Sequence, residues 1–177
     1  MRKFFIVLLL AIASLFFIQT SLAQEVASES AKNNYQLPYP GLLPDNPLYS
    51  IKVFRDRIIE FLIADPIKKS EFDLLSADKR LSIGVVLFEK KKFKLAEETI
   101  SKGENYFEDG IKNLDESRKE GRQIDPSLLV SYDSSSRKHR EILEGLVERA
   151  SGDPKKKLIK SLERVRKFVE MVNKLKL

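Results

Sequence analysis

Few side chains in this chain could do acid–base or metal chemistry, and their spacing suits neither. His139 is the one histidine, set on an apolar stripe between Tyr132 and Leu146 with Ser135 one turn before it. An imidazole there could serve as a general base or a metal ligand. A di-iron carboxylate bundle needs Glu-x-x-His pairs on facing helices, and Ser136 stands where that glutamate would be. The spacing predicts a structural histidine, buried and hydrogen-bonded or held at an edge. Glu97, Glu98, Glu104, Glu108 and Asp109 line one segment, but Lys94, Lys102 and Lys112 alternate with them and no EF-hand loop spacing is present. That alternation predicts solvated i,i+4 pairs rather than a cation site. A Ser-His-Asp set is combinatorially available, yet no Gly-x-Ser-x-Gly elbow accompanies it, and no phosphate loop or dinucleotide fingerprint occurs. Paired carboxylates of the glycosidase kind have no loop-rich scaffold to hold them. The expectation is a non-enzyme with no catalytic residue, cofactor or metal.

The chain has no cysteine. A disulfide framework, a zinc–thiolate site and a thiol nucleophile are therefore excluded, and stability must come from an ordinary apolar core. Arg2 and Lys3 precede an apolar run of 15 residues from Phe4 to Ile18, broken only by Ser14, and Ser21-Leu22-Ala23 follows. This is the three-part pattern of a secretory signal peptide over residues 1–23. The run is short for a bilayer span, which takes roughly 17–25 residues, so cleavage after Ala23 is expected in preference to retention as an anchor. No cysteine is available for a lipoprotein anchor. The protein is accordingly expected to be exported, to a periplasmic, cell-surface or extracellular site.

The charge is uneven. The net charge of +6 becomes +4 once Arg2 and Lys3 are removed, and Gly152–Leu177 alone holds nine Lys/Arg against three Asp/Glu. Lys155, Lys156, Lys157, Lys160, Arg164 and Lys167 form a candidate anion-binding face there, able to meet wall polymer or lipid headgroups by charge. The bland reading is a solvated helix face. Three lysines at a helix N-terminus oppose the helix dipole, which favours an external anionic partner. Nucleic acid is a poor partner, since no aromatics interleave with these cations.

The elements that must position these groups read as helices throughout. Residues 24–36 are polar and predict a flexible tether. Asn46-Pro47, Asp65-Pro66, Asp125-Pro126 and Asp153-Pro154 repeat one helix start, a capping side chain followed by proline at the first helical position. Ile51, Phe54, Ile58 and Phe61/Leu62 recur at helical steps to about Ala64. In Pro66–Glu120, Ile67, Leu74, Leu81 and Phe88 fall seven apart with Ser70, Ala77 and Gly84 between them; Phe93, Ile100, Phe107 and Leu114 repeat this with Ala96, Gly103 and Gly110. Large and small rows predict two long antiparallel helices in close contact around Lys90-Lys91-Lys92. One bent helix is the competing reading, because the junction has no Gly or Pro. Gly121 ends that arm. Pro126–Ala150 forms a further helix on Leu128, Tyr132, Ile142, Leu146 and Ala150, and Pro154–Leu177 the last, on Leu158, Leu162, Val165, Val169 and Val172. The expected fold is all-α, an antiparallel bundle of four to five helices over residues 47–177.

Ahead of it, residues 37–46 form a proline-rich strap. Pro38, Pro40, Pro44 and Pro47 surround apolar residues that a merely extended linker would not carry. Docking is predicted through Leu42, Leu43 and Tyr49, with Asp45 or Lys52 as a polar tie. The residues Pro40, Gly41, Leu42, Leu43, Pro44, Asp45, Pro47, Tyr49 and Lys52 resemble the signature P-G-L-L-P-D-x-P-x-Y-x-x-K of a bacterial family of exported helical proteins catalogued as a domain of unknown function. The resemblance runs from Pro38 to about Leu114, with a weaker echo in Ala77–Leu81. Ser82-Ile83 follow where the family tends to be acidic. It implies a helical, exported, often surface-associated domain and supplies no catalytic residue. The function expected is a structural or interaction module of the cell envelope. A binder of unfolded or anionic partners, chaperone-like in build, is the alternative. Its partner would be an unidentified protein, an anionic envelope polymer or a membrane met peripherally, and the protein itself a monomer or weak dimer.

Overall fold

Aspartate caps followed by proline set the starts of two of the helices. In the computed structural model, which describes residues 34–176, five helices follow one another: α1 (Tyr49–Leu62), α2 (Pro66–Glu89), α3 (Phe93–Lys119), α4 (Pro126–Arg149) and α5 (Gly152–Leu175). The fold is an all-α bundle. The predicted signal peptide, most of the tether and Leu177 lie outside the described residues. Asp65 accepts from the backbone N–H of Ile67 and Lys68 at 2.9 Å each, and Asp125 from that of Ser127 at 2.8 Å. The other two expected starts differ. Asn46 Oδ1 accepts from Leu48 N at 2.9 Å in a turn, so α1 begins at Tyr49, and Pro47 precedes it. The last helix begins at Gly152, with no side-chain cap from Ser151.

Residues Pro66–Glu120 form two helices, not one bent helix. The sharp reversal is made by Lys91, whose φ of 59° lies in the left-handed region. Lys92 N donates to Leu87 O and Lys91 N to Phe88 O, the paired bonds of a Schellman cap. Gly121 closes α3 in the same way, at φ 75°, with Arg122 N donating to Ser117 O. Lysine accepts a conformation normally left to glycine, which is why the junction was ambiguous in the sequence. Across the turn the Phe88 and Phe93 rings meet edge to face, 5.1 Å between centroids.

The small residues do bring α2 and α3 together. A methyl group added at Gly103 would meet Arg80 Cβ at 3.0 Å and Ala77 O at 3.2 Å, and one at Gly84 would overlap Ile100. The α2–α3 hairpin carries the most extensive packing; α5 lies against both α4 and α3, and α4 touches α2 more sparingly. Phe107 of α3 is the hub. Its ring stacks on Phe168 at 5.2 Å, meets Tyr132 edge to face at 5.3 Å and lies 5.1 Å from His139. Leu143 and Phe168, absent from the predicted stripes, are buried core residues, whereas Ile142 and Val169 are half-buried.

The strap is docked in part. Leu37 and Leu43 pack on the core, and Tyr49 is half-buried. Leu42, expected to contact the bundle, is exposed, as is Tyr39. Asp45 makes the polar tie, with Lys92 Nζ at 2.7 Å and Lys90 Nζ at 3.5 Å, so the α2–α3 turn holds the strap. The Lys92 ammonium holds the Asp45 carboxyl below its ordinary range. Lys52 instead pairs with Asp56 on its own helix at 3.4 Å.

Candidate functional site

The serines, the histidine and an aspartate that could have formed a catalytic set do converge, in the interior. Ser135 and His139 lie one turn apart on α4 and both face Asp78 of α2. Ser135 Oγ donates to Asp78 Oδ1 at 2.5 Å, and His139 Nε2 lies 2.9 Å from the same oxygen. Tyr35 OH, ahead of the strap, donates to Asp78 Oδ2 at 2.5 Å. A hydrolase triad places the imidazole between serine and carboxylate. Here hydroxyl and imidazole share one carboxylate oxygen, and Ser135, His139 and Asp78 are all sealed from solvent. The arrangement is a bolt joining α2, α4 and the strap. Tyr35 lies in the segment expected to be a flexible tether, yet its phenol is anchored, and burial together with Asp78 pushes it well above the ordinary tyrosine range. A cavity of about 330 Å³ adjoins this bolt, lined by Tyr35, Pro38, Leu74, Leu128 and Ser131 among others.

A second polar cluster crosses the hairpin one helical layer away. Tyr132 OH donates to Ser70 O at 2.7 Å, and Ser70 Oγ donates to Gly110 O at 2.9 Å. Next to it Asp73 is buried, its Oδ2 accepting from Asn113 Nδ2 at 3.2 Å. Burial, with Glu60 adding to it, pushes the Asp73 carboxyl up to about 7 from an ordinary value of 3.8. Between those two values the folded state keeps a proton that the unfolded state has lost. This group therefore makes stability fall as pH rises from about 4 to 7. Asp73→Asn should remove that slope, raising stability by roughly 1–3 kcal/mol near pH 8 and hardly at all near pH 4. Urea titrations at the two pH values check this; an equal gain at both would show that the carboxyl carries no burial penalty.

The acidic row on α3 is taken up by α5 and by its own helix. Glu97 pairs with Lys157 at 3.0 Å, Glu108 with Arg164 at 2.5 Å, and Glu104 with Arg164 at 3.5 Å. Burial pushes the Glu104 carboxyl up, against the pull of Ser161 and Arg164 beside it. Among the described residues no three His, Asp or Glu side chains gather as a metal site would require. Lys157 and Arg164 thus belong to the α3–α5 contact, and Lys156 lies 3.7 Å from Asp153. Lys160 and Lys167 are exposed and Lys155 is half-buried. The candidate anion face therefore divides between structural ion pairs and outward cations.

The surface missed by sequence reasoning is α1. Its half-buried positions are Tyr49, Lys52, Val53, Asp56 and Glu60, and Glu60 accepts from Tyr106 OH at 3.2 Å. Its apolar stripe points the other way: Ile51 is 66% exposed, Phe54 67%, Phe61 88% and Leu62 71%. Between α1 and the hairpin lies a cleft of about 260 Å³, lined by Tyr49, Arg57, Arg80, Lys102 and Tyr106, with the Arg80 guanidinium 4.1 Å above the Tyr106 ring. Helical periodicity found the stripe; its direction depends on what the other face touches.

A protein family described as a domain of unknown function (DUF5667) matches residues 41–153. The chain belongs to this family. The matched segment opens at Gly41 in the strap and runs through α1–α4 into the first turn of α5. It takes in Asp45, the small-residue seam and the Asp78–Ser135–His139 bolt, and leaves most of α5 outside. No curated protein and no solved structure matches the chain.

Proposed function

We propose that this protein is a non-catalytic helical interaction or structural module, exported by its signal peptide and working in a bacterial cell envelope. The observation that carries this reading is how the chemically capable groups are used. Ser135, His139 and Asp78 hold two helices and the strap together, and the α3 carboxylates hold α5. The outward features are an apolar helix face and scattered cations, which suit contact rather than turnover. Without cysteine, stability rests on the apolar core and not on disulfides. Its partner would be a protein, an anionic polymer or a membrane surface, not nucleic acid, and the protein itself a monomer or weak dimer. The alternative is a binder of unfolded or anionic partners. The exposed α1 stripe favours it to the extent that such a partner would cover apolar surface.

Export is tested by fusing residues 1–36 to a reporter that becomes active only outside the cytoplasm. The expected result is an active reporter whose N-terminus is Gln24. An inactive reporter retained in the cytoplasm would overturn the envelope reading.

A further inference from the structure

We propose that α1 is an interfacial helix which seats the protein on an anionic phospholipid surface, its apolar stripe entering the headgroup boundary. The proposal deepens the envelope reading by naming the partner. On a helix turning about 100° per residue, Ile51, Phe54, Ile58, Ile59, Phe61 and Leu62 occupy one arc of roughly 160°. All six are exposed. The opposite arc, with Tyr49, Lys52, Val53, Asp56 and Glu60, faces the hairpin. The helix is therefore inverted relative to a bundle helix: polar side inward, apolar side outward. Burial in this fold does not explain the stripe.

The charges on α1 are sorted the same way. Both carboxylates, Asp56 and Glu60, lie on the hairpin side, where Asp56 takes Lys52 and Arg55 and Glu60 takes the Tyr106 phenol. Arg55 springs from the apolar arc and stays 64% exposed at its side chain while its guanidinium reaches back to Asp56, and the exposed Arg57 borders the arc at the mouth of the cleft. The outward half of α1 thus presents apolar groups with one exposed, Asp56-paired arginine among them and a second at its border, a pairing weak enough in water for lipid phosphate to compete with it. An amphipathic interfacial helix bound to anionic lipid has this composition, with long cations reaching back to the headgroups. A second copy fits less well: isologous pairing would set Arg55 and Arg57 near their own counterparts. At 14 residues α1 is too short to span a bilayer, so its contact lies in the plane of the interface.

The test uses the chain Gln24–Leu177, which keeps the compact unit from Tyr35 onward with its described buried apolar core from Leu74 to Leu175 and lacks the apolar run Phe4–Ile18. Vesicles of phosphatidylcholine alone, or with about a third phosphatidylglycerol, are sedimented with it at low and high salt. Binding is expected only to the anionic vesicles and should weaken with salt. Phe54→Glu/Phe61→Glu should lower partitioning roughly tenfold or more, and Arg55→Gln/Arg57→Gln by about fivefold per arginine. Circular dichroism should match the parent for both variants, since neither phenylalanine is buried. Loss of binding on Lys160→Gln/Lys167→Gln with the α1 variants unchanged would overturn the proposal in favour of α5. So would a dimer in lipid-free solution that Phe54→Glu/Phe61→Glu dissociates, or no binding to anionic vesicles at low salt. Failure of the export reporter with vesicle binding intact would instead remove the envelope reading and leave this one standing.

Discussion

Asp78→Ala should destabilise the fold by about 3–5 kcal/mol, because it removes the acceptor shared by three side chains. Ser135 and His139 would lose their shared acceptor in a sealed interior, and Tyr35 would lose its bond to the carboxylate. A domain of this size has roughly 5–15 kcal/mol of stability in all, so the loss should appear as a large drop in urea midpoint. Tyr35→Phe removes only the half-buried donor and should cost about 1 kcal/mol, while speeding proteolysis of the strap around Tyr39. The pair of variants separates the bolt from the strap it secures. If Asp78→Ala shifted the midpoint no more than Tyr35→Phe, the α2–α4 contact would owe nothing to these hydrogen bonds.

Gly110→Ala should destabilise by about 2–4 kcal/mol, the opposite of what a glycine-to-alanine change in a helix ordinarily does. A methyl group there would overlap the Tyr132 hydroxyl and meet Asp73 Cβ at 3.1 Å. The phenol cannot retreat freely: its ring is fully buried, and its hydroxyl is tied to the Ser70 carbonyl and lies 2.8 Å from Ser70 Oγ. Gly145 supplies the control, since a methyl group there meets nothing within 4 Å, and Gly145→Ala should gain roughly 0.5–1 kcal/mol from helix propensity. Tyr132→Phe alone should cost stability, yet in the Gly110→Ala background it should recover part of the loss by removing the clashing oxygen. Thermal melts of the four proteins decide between overlap and a purely local effect; Gly110→Ala behaving like Gly145→Ala would rule the overlap out.

Local chemistry was enough to place the helices, though not every start, and the reason is range. A cap with a proline after it, or a seven-residue row of Leu and Phe with small residues between, acts within one or two turns and can be read from the residues themselves. The antiparallel meeting of Ala77 with Gly103, and the caps at Asp65 and Asp125, follow from such signals. The turn at Lys91 did not, since a lysine gives no sign that it will adopt a left-handed backbone until the packed hairpin requires it. Ser135 reads only as a neighbour of His139, and Tyr35 as part of a tether. Their roles depend on Asp78, some 57 and 43 residues away, and no local pattern carries a pairing at that distance. The stripe of α1 is the clearest division. Its period was written in Ile51, Phe54, Ile58 and Phe61, but period gives a face, not a direction. Tyr106 and the cleft beneath α1 engage the polar side, and that tertiary contact alone leaves the apolar side facing out.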